Sequence, residues 1–194
     1  MTKTITIYND PDCECPNDWD GWTLYSFNTR HVNFKHPRGF GIRRDGSSID
    51  IGFRRKLQVG TAFVLGYFEH GNCIWFLKDE RPLGTEGDFR WDGVSVAGVL
   101  VWEQPVRNLG AKTYEDRADD ARRFVETYTN WANGECYGYM IEPEGESCGG
   151  FFSAEDLFQD MQEHTANLNP DDVVFEGEAA WLAKYHDWQA TAKR

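Results

Sequence analysis

Cys148 stands in Ser147-Cys148-Gly149-Gly150, a small-residue turn just ahead of a helix start at Ser153-Ala154-Glu155-Asp156. A thiol becomes a nucleophile when amide donors and a nearby base hold it as the thiolate. His70 and His164 are the candidate bases, and sequence spacing places neither beside it. The competing reading is a structural thiol packed in a hairpin. It is favoured, because free cysteine is among the most buried residue types.

The second group with metal-ligand chemistry is NDPDCECPNDWDGW, residues 9–22, with five acids and two cysteines. A calcium loop needs acids at fixed odd offsets, a central Gly and a distal Glu, and this order does not supply them. Zinc needs four ligands, whereas Cys13-x-Cys15 offers two at an unusual spacing with no second pair at a standard distance. No metal and no cofactor is therefore assigned. The five cysteines (Cys13, Cys15, Cys73, Cys136, Cys148) form an odd set without framework spacing, which reads as free thiols in a reducing compartment.

The third group is acidic. The net charge is −12, and its distribution is uneven. Residues 1–60 hold nine Lys/Arg and seven Asp/Glu, and residues 61–102 hold three and six. Residues 103–194 hold eight and nineteen, a net of −11. Asp116, Asp119, Asp120, Glu142, Glu144 and Glu146 are the candidate partner-binding residues of this half. A field of that sign repels phosphate backbones and attracts cationic surfaces.

These residues need elements to hold them. The 194 residues suit one domain, and 40% hydrophobic with 15% aromatic content is enough for a core. Thr4 to Tyr8 alternates and predicts a first strand. Residues 23–60 continue a β pattern, with Asp45-Gly46 closing a hairpin. Phe63–Phe68 and Cys73–Leu77 flank Glu69-His70-Gly71-Asn72 as hairpin arms. Both are nearly continuous in apolar residues, which predicts central strands covered on both faces. Val94–Trp102 is a further strand, and Gly98 inside it predicts a bulge or close backbone approach.

Thr113 with Asp116 three residues on forms a helix start. Tyr114, Ala118, Ala121, Val125, Tyr128 and Ala132 then recur at steps of four and three, and Asn133-Gly134 ends the helix. Cys136–Ile141 and Ser147–Phe152 are hairpin arms about Pro143-Glu144-Gly145-Glu146. A second helix buries Leu157, Phe158, Met161 and Leu168. Asn169-Pro170-Asp171-Asp172 breaks the chain, and Trp181, Tyr185, Trp188 and Ala192 mark a last helix. The expected class is α+β: an antiparallel sheet in the N-terminal half and about three helices, mainly in the C-terminal half.

Basic residues in the N-terminal half (Arg30, Lys35, Arg38, Arg43, Arg44, Arg54, Arg55, Lys56) interleave with Phe34, Phe40 and Phe53. That composition suits a single-strand nucleic-acid groove. The overall acidity argues for an ordinary solvated sheet face instead.

Asn133 to Phe151, NGECYGYMIEPEGESCGGF, resembles a motif of uncharacterised proteins from phages, plasmids and other mobile elements. There a helix precedes Asn-Gly-x-x-Tyr-Gly-Tyr, an acidic strand and turn, and Asp-Ser-Cys-Trp-Gly-Phe. Asn133, Gly134, Tyr137, Gly138, Tyr139, Ile141, Glu142, Gly145, Glu146, Ser147, Cys148, Gly150 and Phe151 carry the resemblance. At Glu146 the acid is kept where that family has Asp, and Gly149 departs from it, standing where that family has Trp. Tyr67-Phe68-Glu69-His70-Gly71 and Val99–Trp102 are similar in order and placement, so the resemblance runs from about residue 60 to 160. It implies a mobile-element setting and no established biochemistry. The expected organisation is one domain over 1–194, with 1–60 as a semi-independent β subdomain and 61–194 as the core of the resemblance.

The functional expectation is a non-enzymatic accessory protein in the host-cell cytoplasm. It binds a host protein through its acidic surface, in its sharpest form a nucleic-acid-processing complex whose defence nuclease it inhibits, in the anti-CRISPR or anti-restriction manner. Two alternatives stand beside it: a small cytosolic hydrolase using Cys148 or a carboxylate pair, and nucleic-acid binding by the Arg-rich sheet. No apolar run is long enough to span a bilayer, and MTKTITIYND has no signal-peptide pattern, so no membrane partner is expected.

Overall fold

The structure, a computed structural model, describes residues 3–43, 48–83, 85, 87–165 and 173–177, with the backbone alone for 162–165 and 173–176. In chain order the elements are β1 (Lys3–Asn9), β2 (Trp22–Ser26), α1 (Ile51–Gln58), β3 (Ala62–His70), β4 (Asn72–Leu77) and α2 (Phe89–Asp92). Then come β5 (Gly93–Trp102), α3 (Tyr114–Ala132), β6 (Tyr137–Glu142), β7 (Glu146–Phe151), α4 (Ala154–Thr165) and β8 (Val173–Glu176). The class is α+β, as expected, with the longer helices in the later half. Two compact units divide the chain: a first unit of Met1–Glu14 with Gly134–Arg194, and a second of Cys15–Asn133. The division falls at Cys15 and Gly134.

The first unit holds a four-stranded sheet in the order β7-β6-β1-β8. β1 runs antiparallel to β6, with Ile5 opposite Ile141 and Ile7 opposite Tyr139, and parallel to β8. The alternation read in Thr4–Tyr8 explains the pairing: Ile5 and Ile7 share one face, and α4 covers that face with Leu157, Phe158 and Met161. Each such side chain contributes about 1.5–3 kcal/mol on burial. Ser153 caps α4, its Oγ accepting from Asp156 N–H at 3.1 Å and donating to the Asp156 carboxylate at 2.7 Å. The hairpin Tyr137–Phe151 thus builds a sheet with β1. β8 was not expected, since only a break and a helix were read there. Leu168, Asn169–Asp172 and the Trp181–Ala192 helix lie outside the described residues.

The second unit holds an antiparallel sheet in the order β2-β5-β3-β4. α3 packs Ala118, Ala121, Val125 and Tyr128 on one face, against Leu24, Leu65, Trp75 and Leu100. On the other face Phe53 of α1 packs with Ile42, Ala62, Val99 and Val101. Two covered faces account for the near-continuous apolar runs of β3 and β5. Thr113 and Asp116 form the expected capping box of α3, and Gly134 follows its end at a left-handed φ of 74°. Gly98 makes the expected close approach: a Cβ there would lie 2.5 Å from the Tyr25 carbonyl oxygen.

Two expectations need correction. β4 is an edge strand, not a central one. Its apolar character comes from cover on both faces, Trp75 and Leu77 packing with α3 and Phe76 with Phe89 of α2, and α3 also occupies the edge: Trp75 N–H donates to Thr129 Oγ1 at 3.1 Å. Residues 51–58, read as β, form α1. Its N-cap is Asp50, whose carboxylate accepts from Gly52 N–H at 2.8 Å, and eight residues are too few for a legible helical period. The Asp45-Gly46 turn lies outside the described residues, though an antiparallel Ile42–Ile49 bridge brackets it.

Candidate functional site

Charge divides with the fold. The first unit carries sixteen Asp/Glu and four Lys/Arg, a net of −12, while the second carries sixteen of each and is neutral. The six acids named from the sequence fall into both. Glu142, Glu144 and Glu146 sit on the exposed β6–β7 turn of the first unit, where Glu144 pairs with Lys3 at 3.0 Å. That pairing, led by the Lys3 hydrogen bond, holds the Glu144 carboxyl below its ordinary pKa. The turn closes through Gly145 at φ 72°, whose N–H donates to the Ile141 carbonyl at 2.9 Å.

Asp116, Asp119 and Asp120 lie on α3 of the second unit, and each has a local structural task. Asp116 closes the capping box, and its hydrogen bonds with Thr113 lower its pKa. Asp119 bridges to Arg122, which also holds Glu80 at 2.6 Å. Asp120 accepts from the Trp22 indole N–H at 2.8 Å and lies 3.6 Å from Arg123.

All five cysteines are free thiols. The reading of Cys148 as a buried thiol is corrected: it is exposed, because β7 is the outer strand of its sheet and Glu146–Gly150 all face solvent. The buried thiol is Cys136, 1% exposed, where burial and the neighbouring Cys13 push its pKa up to about 12. His70 belongs to the second unit and Cys148 to the first. His70 is held by Asp92 through its Nδ1 at 2.9 Å, and that hydrogen bond raises its pKa. The His164 side chain is outside the described ones. Among the described residues, no group of three or more His, Cys, Asp and Glu side chains could hold a metal ion.

Of the three rings in the Arg-rich stretch, Phe53 and Phe40 pack inward and Phe34 is exposed. Phe53 is core and Phe40 packs on it at 5.5 Å. Lys35 lies over Tyr25 at 4.4 Å and over Phe40 at 5.2 Å, so its charge is spent on internal rings. Arg54 donates to the Ile49 carbonyl at 3.2 Å. Arg44 is outside the described residues.

A cavity of about 410 Å³ opens in the second unit, and no sequence signal pointed to it. The segment after β2 folds back on its own strand: Lys35 N–H donates to the Ser26 carbonyl at 2.8 Å, and Ser26 N–H to the Asn33 carbonyl at 3.1 Å. This loop brings Phe27, Phe34 and His31 over Tyr67 of β3 and Trp75 of β4. His31 stands edge-on to both rings, at 5.4 and 5.8 Å, and its Nδ1 is 2.8 Å from Ser26 Oγ. Burial lowers the His31 pKa, with a smaller opposing pull from Glu69, so the ring is neutral at pH 7. Tyr67 donates its hydroxyl to Glu69 at 2.8 Å, and burial with that bond keeps it protonated. Ser26 is completely buried, which removes it from the reach of a substrate and makes the Ser26–His31 pair a positioning contact.

No known family model matches this chain, and no curated protein or solved structure matches it. Among the described residues no helix is long and apolar enough to cross a membrane.

Proposed function

We propose that the chain is a non-enzymatic binding protein of a mobile element whose acidic first unit docks on a cationic surface of a host protein. One observation carries this reading: the whole net charge of −12 belongs to the first unit, while the second is neutral. An excess of charge of one sign raises the association rate with a surface of the other sign and steers its orientation. The channels of nucleic-acid-processing complexes are strongly cationic, because they must neutralise phosphates. The partner class is therefore a host complex of that kind, a defence nuclease in the sharpest form, with its phosphate channel occupied by the first unit.

Within that unit the β6–β7 turn is the leading contact element. Its three glutamates are exposed on a short hairpin of the unit that holds the net charge. The α3 acids are second in rank, since they belong to the neutral second unit. The test is gel filtration of the purified chain with purified restriction and CRISPR effector complexes at low and high salt. Co-elution at low salt that is lost at high salt supports the proposal. No co-elution with any of them at low salt contradicts it.

A further inference from the structure

We propose that the cavity between the 27–37 loop and the β3–β4 hairpin is a binding site for an uncharged planar heteroaromatic ring, independent of the acidic unit. Three features of the lining select that chemistry. First, none of its thirteen side chains is Lys, Arg, Asp or Glu, so no formal charge awaits a charged ligand. Burying an unpaired charge there costs far more than its contacts return.

Second, the walls are rings. Phe27, Phe34, Tyr67 and Trp75 all line the cavity, with Tyr67 and Trp75 centroids 4.7 Å apart. Phe34 is 39% exposed and Val94 on β5 is 50% exposed, which marks an open, apolar mouth. Flat ligands gain from such walls by offset or edge-on stacking as well as by area.

Third, polar groups gather in the loop wall: Asn28, Thr29 and His31. Asn28 N–H donates to Ser26 Oγ at 3.0 Å, so Ser26 and His31 are fixed relative to the loop backbone. A heteroaromatic ring matches both halves, with π faces for the walls and in-plane donors and acceptors for the polar side. About 410 Å³ lies within the usual range of small-molecule sites.

Saturation-transfer NMR with adenosine, cytidine, indole and cyclohexanol, followed by calorimetry of each, tests this. The expected result is one-to-one binding of at least one of the three ring compounds with Kd below about 1 mM, and weaker binding of cyclohexanol. Phe34→Ala and Val94→Glu, both at exposed positions, should each weaken that binding about tenfold or more, the second by placing a charge at the mouth. Val106→Glu, 51% exposed and outside the lining, should leave it unchanged. The proposal is overturned if no ring compound binds at millimolar concentration. It is equally overturned if cyclohexanol binds as tightly, or if a folded Val94→Glu chain binds as the wild type does.

Discussion

The side-chain amide of Asn133 pairs with both peptide groups of Cys73. Cys73 N–H donates to Asn133 Oδ1 at 2.8 Å, and Asn133 Nδ2 donates to the Cys73 carbonyl at 2.9 Å. The end of α3 thus completes the outer edge of β4 as another strand would. On the opposite edge Asn17 does the same for Leu24, accepting from its N–H at 2.8 Å and donating to its carbonyl at 2.9 Å. An open sheet edge invites pairing with other chains, and both edges here are closed by side-chain amides.

Asn133→Ala should therefore destabilise the second unit by about 2 kcal/mol, the net worth of two hydrogen bonds with part-buried partners. Urea unfolding followed by tryptophan fluorescence would measure it. Asn133→Asp should cost at least as much, because a carboxylate keeps the acceptor but turns the donor into a second oxygen facing the Cys73 carbonyl. A midpoint unchanged in both variants would show that the edge is closed by packing alone.

Thiol reactivity should follow exposure. Cys148 on β7 should react first with a disulfide reagent in the folded protein, and Cys148→Ser should remove that fastest phase. Cys136 should react only on unfolding, being 1% exposed with its pKa pushed up to about 12. Fast labelling of Cys136 in the folded chain, read by peptide mass, would contradict this packing.

His31 and His70 should titrate on opposite sides of the ordinary histidine value of about 6.5. His31 is depressed by burial, so its contribution to stability is present above that value and is lost as pH falls through the folded-state pKa. His70 is raised by its hydrogen bond to Asp92, so its contribution is present below that value and is lost as pH rises through the folded-state pKa. Imidazole proton shifts against pH give both midpoints. Asp92→Asn should bring the His70 midpoint down and leave that of His31 in place.

Local pattern carried much of this fold. The four-three spacing from Tyr114 to Tyr128, bounded by Thr113 and Gly134, contains all that defines α3. The β3–β4 hairpin and the α4 start at Ser153 were legible for the same reason: their signals lie within a few residues. Long-range pairing was not legible. Nothing in Thr4–Tyr8 says that its neighbours are Tyr137–Glu142 and Val173–Glu176, and this pairing is what gathers the charge into one unit. The exposure of Cys148 followed from β7 being an outer strand, which again depends on strand order. The cavity combines one loop with residues from four strands, and single segments carry no trace of it. The candidate acids were visible as composition. Which of them are locally compensated was not, because Lys3 and Trp22 are distant in sequence from Glu144 and Asp120.

Charge reversal on the exposed β6–β7 turn tests whether the acidic unit is what docks on the partner. Glu142→Lys, Glu144→Lys and Glu146→Lys together should change the charge by six units at three exposed positions of the hairpin. The measurement is the affinity of wild-type and triple-variant chains for a co-eluting host complex, across a salt series. The variant should lose about tenfold or more in affinity at low salt, and its remaining binding should vary less with salt. An affinity and salt slope equal to those of the wild type, in a variant with unchanged circular dichroism, would contradict it.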